Sequence, residues 1–101
     1  MNQFGEKIKK LRLQLGLLQQ DVASKLEIDA PMLSKIEKGI RQLKREQVQK
    51  IGEILKASSD ELLTLWLADQ IYAVVKDEKL ANEAMQVAEK SIIKNKKSNS
   101  K

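Results

Sequence analysis

The sequence predicts an all-α protein, built as a five-helix domain followed by a C-terminal helical extension. Aromatic residues make up only 3% of the chain, and aliphatic residues with Met supply most of the 42% that is hydrophobic. That mixture favours helices over strands. Apolar residues also recur three and four positions apart over most of the chain. Because 101 residues suffice for one core and an accessory element, we expect a domain over 1–66, an extension over 67–94 and a disordered basic tail over 95–101.

The first helix is predicted over residues 3–15, because one apolar stripe runs along it at spacings of four, three and four. Gly16 follows directly and suits the left-handed backbone that ends many helices. The stripe consists of Phe4, Ile8, Leu11 and Leu15.

Two short helices are predicted next, over residues 19–26 and 30–38. Asp29 is expected to cap the third helix, because its carboxylate can accept hydrogen bonds from the first exposed amides. Pro31 falls in that first turn, where a missing amide hydrogen costs nothing. Gly39 is expected to end the helix. The apolar face of the second helix consists of Leu18, Val22, Ala23 and Leu26.

A fourth helix is predicted over residues 44–55, after a basic loop at 40–43. Ser58 and Glu61 match the S-x-x-E capping box that begins a helix, so a fifth helix is expected there. This helix is apolar on more than one face, which predicts burial on several sides. Its apolar residues are Leu62, Leu63, Leu65, Trp66, Leu67, Ile71, Tyr72, Val74 and Val75.

A sixth helix is predicted over residues 78–94, with Asp77 as its N-terminal cap. Its apolar residues are spaced by four, and the residues beyond 94 include no apolar one. The stripe consists of Leu80, Ala84, Ala88 and Ile92.

Several classes of function are disfavoured by residues that the chain lacks. Without Cys or His there is no disulfide, no cysteine-ligated metal site and no histidine base, and no glycine-rich phosphate loop is present. We therefore expect neither an enzyme nor a cofactor. The N-terminal residues lack the apolar core of a signal peptide, and no stretch approaches the ~20 apolar residues of a membrane span. We accordingly expect a cytoplasmic protein with no membrane partner. The net charge of +5 favours a polyanionic partner.

Residues 4–63 resemble the phage-repressor and Cro-like helix-turn-helix family, also called the XRE type. The similarity lies in FGEKIKKLRLQLGLLQQDVASKL, a turn, APMLSKIEKG, a basic loop and SSDELL, all in register. Ala23 matches the small-residue position where the two motif helices cross, and Glu37 and Gly39 match the end of the third helix. The buried positions of the pattern are matched by Val22, Leu26, Ile28, Leu33 and Ile36. The resemblance implies a lambda-repressor-like domain that binds specific sequences in double-stranded DNA.

Two positions depart from the family pattern. Leu18 stands where a Thr or Ser usually caps the second helix, so the first amides of that helix need another partner. Glu27 stands where the turn often has Gly, and a left-handed backbone at Glu27 would cost about 1 kcal/mol.

The resemblance further implies that the third helix lies in the major groove and presents its N-terminal residues to base edges. The matching base-reading residues are Ala30, Pro31, Ser34 and Lys35. Lys35 can donate to the O6 and N7 atoms of guanine, Ser34 can bond to either base type, and Ala30 and Pro31 can contact a thymine methyl group. The alternative for Lys35 is a solvated side chain or a phosphate contact. Because no Arg, Asn or Gln on this helix can make a bidentate base contact, we expect DNA shape to supply part of the specificity.

Contacts to the DNA backbone are expected on both sides of the third helix. Gln19 and Gln20 begin the second helix, where amides and side chains can meet a phosphate. Such clusters of charge are usually solvated surface, but the family places its phosphate contacts here. The residues after the third helix that are expected to contact phosphates are Lys38, Arg41, Gln42, Lys44 and Arg45.

A homodimer is expected, because one recognition helix reads only a few base pairs and two-fold operators place half-sites about 34 Å apart. The fifth helix is expected to carry the interface, through Leu63, Trp66, Leu67, Ile71, Tyr72 and Val75. Folding of these residues onto their own domain is the alternative, and the sixth helix could cover them in cis or across the dimer. The function expected is transcriptional regulation, most simply repression. The alternative function is a protein-interaction module, such as an antitoxin, whose C-terminal helices bind a partner protein.

Overall fold

The computed structural model describes residues 1–99, and every regular element in that range is an α-helix. The all-α class is therefore confirmed, and the first four helices begin and end within one residue of their predicted bounds. None of the helices in this range is long and apolar enough to cross a membrane. The six helices are α1 (Gln3–Gln14), α2 (Gln19–Leu26), α3 (Ala30–Glu37), α4 (Arg45–Ile54), α5 (Ser59–Val75) and α6 (Ala81–Asn99).

The chain divides into two compact units, Met1–Ile71 and the part that begins at Tyr72. The first unit contains the core, in which α2 packs against α3 and α4, and α1 packs against α3. Ala23 is fully buried, as its small-residue position in the helix pair predicts. The buried core consists of Phe4, Ile8, Val22, Ala23, Leu26, Leu33, Ile36, Leu43, Val48, Ile51, Leu55 and Leu62.

The first four helices end in the same way, with one residue in the left-handed backbone conformation. The residue after it donates its N–H to a carbonyl five residues back, as in the bond of 3.0 Å from Ile28 N to Ala23 O. This is the Schellman arrangement, which satisfies the last carbonyls of a helix and turns the chain sharply. The left-handed residues are Gly16 (φ 70), Glu27 (φ 61), Gly39 (φ 79) and Lys56 (φ 55). Glu27 therefore adopts the left-handed conformation whose cost was considered from the sequence.

The sixth helix differs from its prediction at both ends. It begins at Ala81, so the expectation that Asp77 caps it was wrong, and a turn in which Ala81 N donates to Glu78 O (3.3 Å) precedes it. The helix continues to Asn99, into the tail that was expected to be disordered. Lysines near a helix C-terminus interact favourably with the helix dipole, which is a physical reason for the extra turn. Residues 100 and 101 of that tail lie outside the described residues.

Candidate nucleic-acid interface

The start of α3 is built as the sequence predicts. Asp29 precedes the helix in an extended conformation, and its Oδ1 accepts a hydrogen bond of 2.8 Å from the N–H of Met32. Pro31 occupies the first turn, where its missing amide hydrogen has no cost. Leu33 and Ile36 are buried in the core. One face of α3 therefore holds the helix on the domain, and the other is free to meet a ligand.

The four predicted base-reading residues lie together on this outer side of α3. Pro31 and Lys35 are exposed, whereas Ala30 and Ser34 are half-buried. Their spacing of one, three and one residues places them on adjoining positions of one helix face. None of the four is buried, so each can contact a ligand that approaches this face.

The loop between α3 and α4 follows these residues directly and, with the first residue of α4, carries five of the predicted phosphate-binding side chains. Residues 38–45 include four cations and no acidic residue. The loop backbone is held by hydrogen bonds, because Ile40 N and Arg41 N both donate to Lys35 O (2.9 and 3.3 Å) and Lys44 N donates to Gln47 Oε1 (2.8 Å). All five predicted side chains are exposed: Lys38, Arg41, Gln42, Lys44 and Arg45.

The start of α2 resolves the question raised by Leu18. An apolar side chain cannot accept a hydrogen bond, and instead Asp21 Oδ2 accepts from Leu18 N at 2.8 Å. This is one half of a capping box. The amides of Gln19 and Gln20 have no carbonyl to bond within the helix, as at any helix start. They therefore remain available to an anion beside Gln20, whose side chain is exposed.

A buried ion pair, which the sequence analysis did not identify, joins α1 to the end of α3. Arg12 and Glu37 are only 7% and 4% exposed, and Arg12 Nε lies 2.8 Å from Glu37 Oε2. Arg12 Nη2 and Gln19 Nε2 both donate to Glu37 Oε1, at 3.1 and 3.0 Å. Arg12 follows Ile8 by four residues on the buried face of α1, and Glu37 follows Leu33 by four on the buried face of α3. Opposite charges at these two core-facing positions could have predicted the ion pair. The Gln19 side chain is thus already bonded to Glu37, while its backbone amide is not.

Asn2 is a second link to α3 that the sequence analysis did not identify. Its Nδ2 donates to Glu37 O at 2.8 Å, and its Oδ1 accepts from Gly5 N at 3.2 Å. The side chain therefore caps α1 and binds the last turn of α3 together. Gly39 allows this approach, because a Cβ atom there would lie 2.7 Å from Asn2 Cγ and the backbone φ is +79°.

The residues predicted to form a dimer interface have different surroundings. Leu63 and Trp66 are half-buried against the core of the first unit, which is the folded-back arrangement that was the alternative. Leu67 and Ile71 are 40% and 46% exposed. Tyr72 is also exposed, and Val75 is half-buried. The apolar surface that remains accessible is accordingly smaller than the predicted set of six.

Trp66 and Asp69 of α5 make hydrogen bonds to other parts of the first unit. Trp66 Nε1 donates to Leu43 O, in the basic loop, at 2.9 Å. Asp69 accepts from Gln3 N and Phe4 N, at 3.0 and 2.9 Å, through its two carboxylate oxygens. The fifth helix thus contacts both the loop and the first turn of α1.

Comparison with known proteins matches a helix-turn-helix family model to residues 8–62. The match runs from the middle of α1 to the first turn of α5 and covers more than half of the chain. It includes α2, α3 and the basic loop, which carry the surface described above. No curated protein and no solved structure matches the chain significantly.

Proposed function

Because the chain belongs to the Cro/C1-type helix-turn-helix family of DNA-binding regulators, we propose that it is a repressor which binds a two-fold operator as a homodimer. In this proposal α3 enters the major groove of double-stranded DNA. The basic loop and the start of α2 contact the phosphates on either side of the groove.

The observation that carries this proposal is the position of the cationic loop directly after the outward face of α3. Four cations within eight residues provide the sequence-independent part of DNA affinity, because each phosphate contact releases condensed counterions. Pro31 and Lys35, both exposed, would then face the base edges. A helix that only supported the core would gain nothing from four exposed cations in the eight residues that follow it.

The proposed division of roles follows from donor chemistry. Lys35 reads guanine, Ser34 bonds to a base of either type, and Ala30 and Pro31 contact thymine methyl groups. This set contains no Arg, Asn or Gln that could make a bidentate base contact, so sequence-dependent DNA shape contributes to the choice of operator. Gln19 contributes its backbone amide, and Gln20 contributes amide and side chain together.

Selection of bound sequences from a pool of random duplexes tests the proposal. We expect two inverted half-sites at a fixed spacing, with centres one helical turn, or about 10 base pairs, apart. Repeating the selection with Lys35→Ala should leave the spacing unchanged and relax the preference at one position in each half-site. The expected loss there is about 1–3 kcal/mol of discrimination.

Two outcomes would contradict parts of the proposal. A single motif without an inverted copy would exclude the two-fold operator. Unchanged preference in Lys35→Ala would mean that Lys35 does not read a base. A reporter gene placed behind the selected operator separates repression from activation, because a repressor lowers its expression.

A second candidate function is supported by the unit that begins at Tyr72. Most of its large apolar side chains are exposed, among them Leu80, Met85, Val87 and Ile92, and exposed apolar surface favours a protein partner. In an antitoxin-like role, these residues would bind a different protein. Two results together would favour this function. The chain would purify from its own cells with a stoichiometric protein partner, and the selection from random duplexes would yield no two-fold operator.

A further inference from the structure

We propose that Trp66 is a positioning residue for DNA binding, whose indole N–H holds the phosphate-contacting loop in its binding conformation. The inference rests on the proposed role of the loop in contacting phosphates. It does not depend on repression, on a two-fold operator or on dimer formation.

The middle of the loop has few attachments to the domain. Its first residues bond back to Lys35 O, and Lys44 N bonds forward to Gln47. Between them, the buried side chain of Leu43 and the bond from Trp66 Nε1 to Leu43 O (2.9 Å) fix the backbone. The peptide group between Leu43 and Lys44 is therefore held at both ends, by Gln47 Oε1 at its N–H and by Trp66 Nε1 at its carbonyl, and the Trp66 bond is the one that ties it to α5.

The proposed phosphate contacts lie close to this peptide group in the chain. Lys44 follows it directly, Gln42 and Arg41 precede the buried Leu43, and these three side chains are exposed. A side chain that is already in place before binding loses less conformational entropy when the complex forms. The Trp66 bond thus contributes to DNA affinity through the loop, although Trp66 itself faces the core.

The indole fits this role better than other aromatic side chains. Its N–H is a donor only, which suits a backbone carbonyl, and its ring packs against the core. A phenylalanine at this position would keep most of the packing and lose the donor. Because Trp66 is the only tryptophan, its fluorescence reports directly on the loop contact.

A double-mutant cycle on DNA affinity tests the proposal. The N–H is removed in two ways, by Trp66→Phe and by replacing Trp66 with benzothienylalanine, whose sulfur takes the place of the indole N–H with little change in shape. Each replacement is made in the wild-type chain, in Arg41→Ala/Lys44→Ala and in Lys35→Ala. Affinity for a scrambled duplex and for the selected duplex is measured by fluorescence anisotropy of labelled DNA.

We expect either replacement to weaken binding to both duplexes about fivefold in the wild-type chain, the effect of one neutral hydrogen bond. In the Arg41→Ala/Lys44→Ala background the further loss should disappear, because the N–H acts through those side chains. In the Lys35→Ala background the full loss should persist. Thr64→Val, which removes another α5 side-chain donor to a backbone carbonyl, that of Asp60 (2.8 Å), is the matched control and should leave affinity unchanged.

Two results would overturn the proposal. Wild-type affinity in the folded benzothienylalanine protein would mean that the N–H does not position the loop. An equal loss in all three backgrounds would assign the effect to general stability. Failure of the proposed function would look different. The wild-type chain would then bind the selected and the scrambled duplex equally, and the cycle measured on scrambled DNA would still show whether Trp66 acts through the loop.

Discussion

Glu37 is the residue on which three parts of the first unit converge. Its carboxylate accepts from Arg12 and Gln19, and its backbone carbonyl accepts from Asn2. Since Glu37 ends α3 while Gln19 begins α2, this network sets the distance between the proposed base readers and the proposed phosphate contact at α2. The buried carboxylate is fully bonded, which compensates for its removal from water.

Replacing Arg12 by Met tests the importance of this network for stability. The change leaves a buried, unpaired carboxylate at Glu37, so we expect the free energy of unfolding to fall by about 3–5 kcal/mol. Urea denaturation followed by circular dichroism measures it. Lys7→Met is the control, because Lys7 pairs with Glu61 at the surface (3.3 Å) and such pairs contribute about 0–1 kcal/mol.

A second variant distinguishes the loss of the pair from the loss of packing. Arg12→Met/Glu37→Met removes both charges, and we expect it to be more stable than Arg12→Met alone. Equal stability of Arg12→Met and Lys7→Met would show that the buried pair does not hold α1 and α3 together.

At the scale of the helices, the four left-handed residues divide into two kinds. Gly16 and Gly39 adopt the left-handed backbone without strain, whereas Glu27 and Lys56 carry side chains that disfavour it. At Glu27 the side chain is 85% exposed and reaches Lys50 only at 3.9 Å, so little compensates for the strain.

We therefore predict that Glu27→Gly raises the free energy of unfolding by about 1 kcal/mol, as measured by urea denaturation. Lys25→Gly is the matched control, because it makes a similar replacement inside α2. The control should lower stability by about 1 kcal/mol. If both variants lost stability, the side chain of Glu27 would stabilise the fold by more than its backbone strain costs.

The positions of α1 to α4 were predictable because their signals are local. Asp29, Pro31 and Gly39 mark the ends of α3 within the sequence itself, and apolar spacing defines the buried faces. Asp77 shows the limit of such signals, since the same carboxylate chemistry that caps α3 at Asp29 does not start α6.

The contacts that fix the candidate site were harder to predict, because they join residues distant in sequence. Asn2 and Glu37 are 35 residues apart, and Trp66 and Leu43 are 23 apart. Only packing brings these pairs together. The same reason explains why Trp66 was assigned to a dimer interface. Its apolar neighbours in the sequence suggested an exposed surface, but its ring and its N–H both make contacts inside its own unit.

At the scale of the whole molecule, each unit has apolar residues that its own folding does not bury. In the first unit these include Leu67 and Ile71 near its end. In the second unit, all the described side chains of α6 except the half-buried Ala81 are exposed. A helix with an unburied apolar stripe gains little from tertiary packing, so each surface favours association with another chain.

In the proposed homodimer, the accessible Leu67 and Ile71 of α5 lie between the two copies. Leu67→Asp and Ile71→Asp place a charge on the accessible part of α5, where pairing with a second copy would desolvate it. We expect both variants to sediment as monomers of 11.5 kDa with an unchanged helix content, and the wild-type chain to sediment at twice that mass. Their affinity for a duplex with two half-sites should fall at least about tenfold, or about 1.4 kcal/mol, while affinity for a single half-site stays the same.

Two further variants locate the interface. Leu13→Asp, on an exposed position of α1, should remain dimeric. Ile92→Asp places a charge on α6 in the same way. If Ile92→Asp sedimented as a monomer and Leu67→Asp as a dimer, the interface would lie on the second unit and not on α5. A wild-type chain that sedimented as a monomer, both free and on a duplex with two half-sites, would contradict the homodimer itself. In that case two copies would occupy the two half-sites independently, without contact between them. The exposed apolar surfaces would then be available to a different protein.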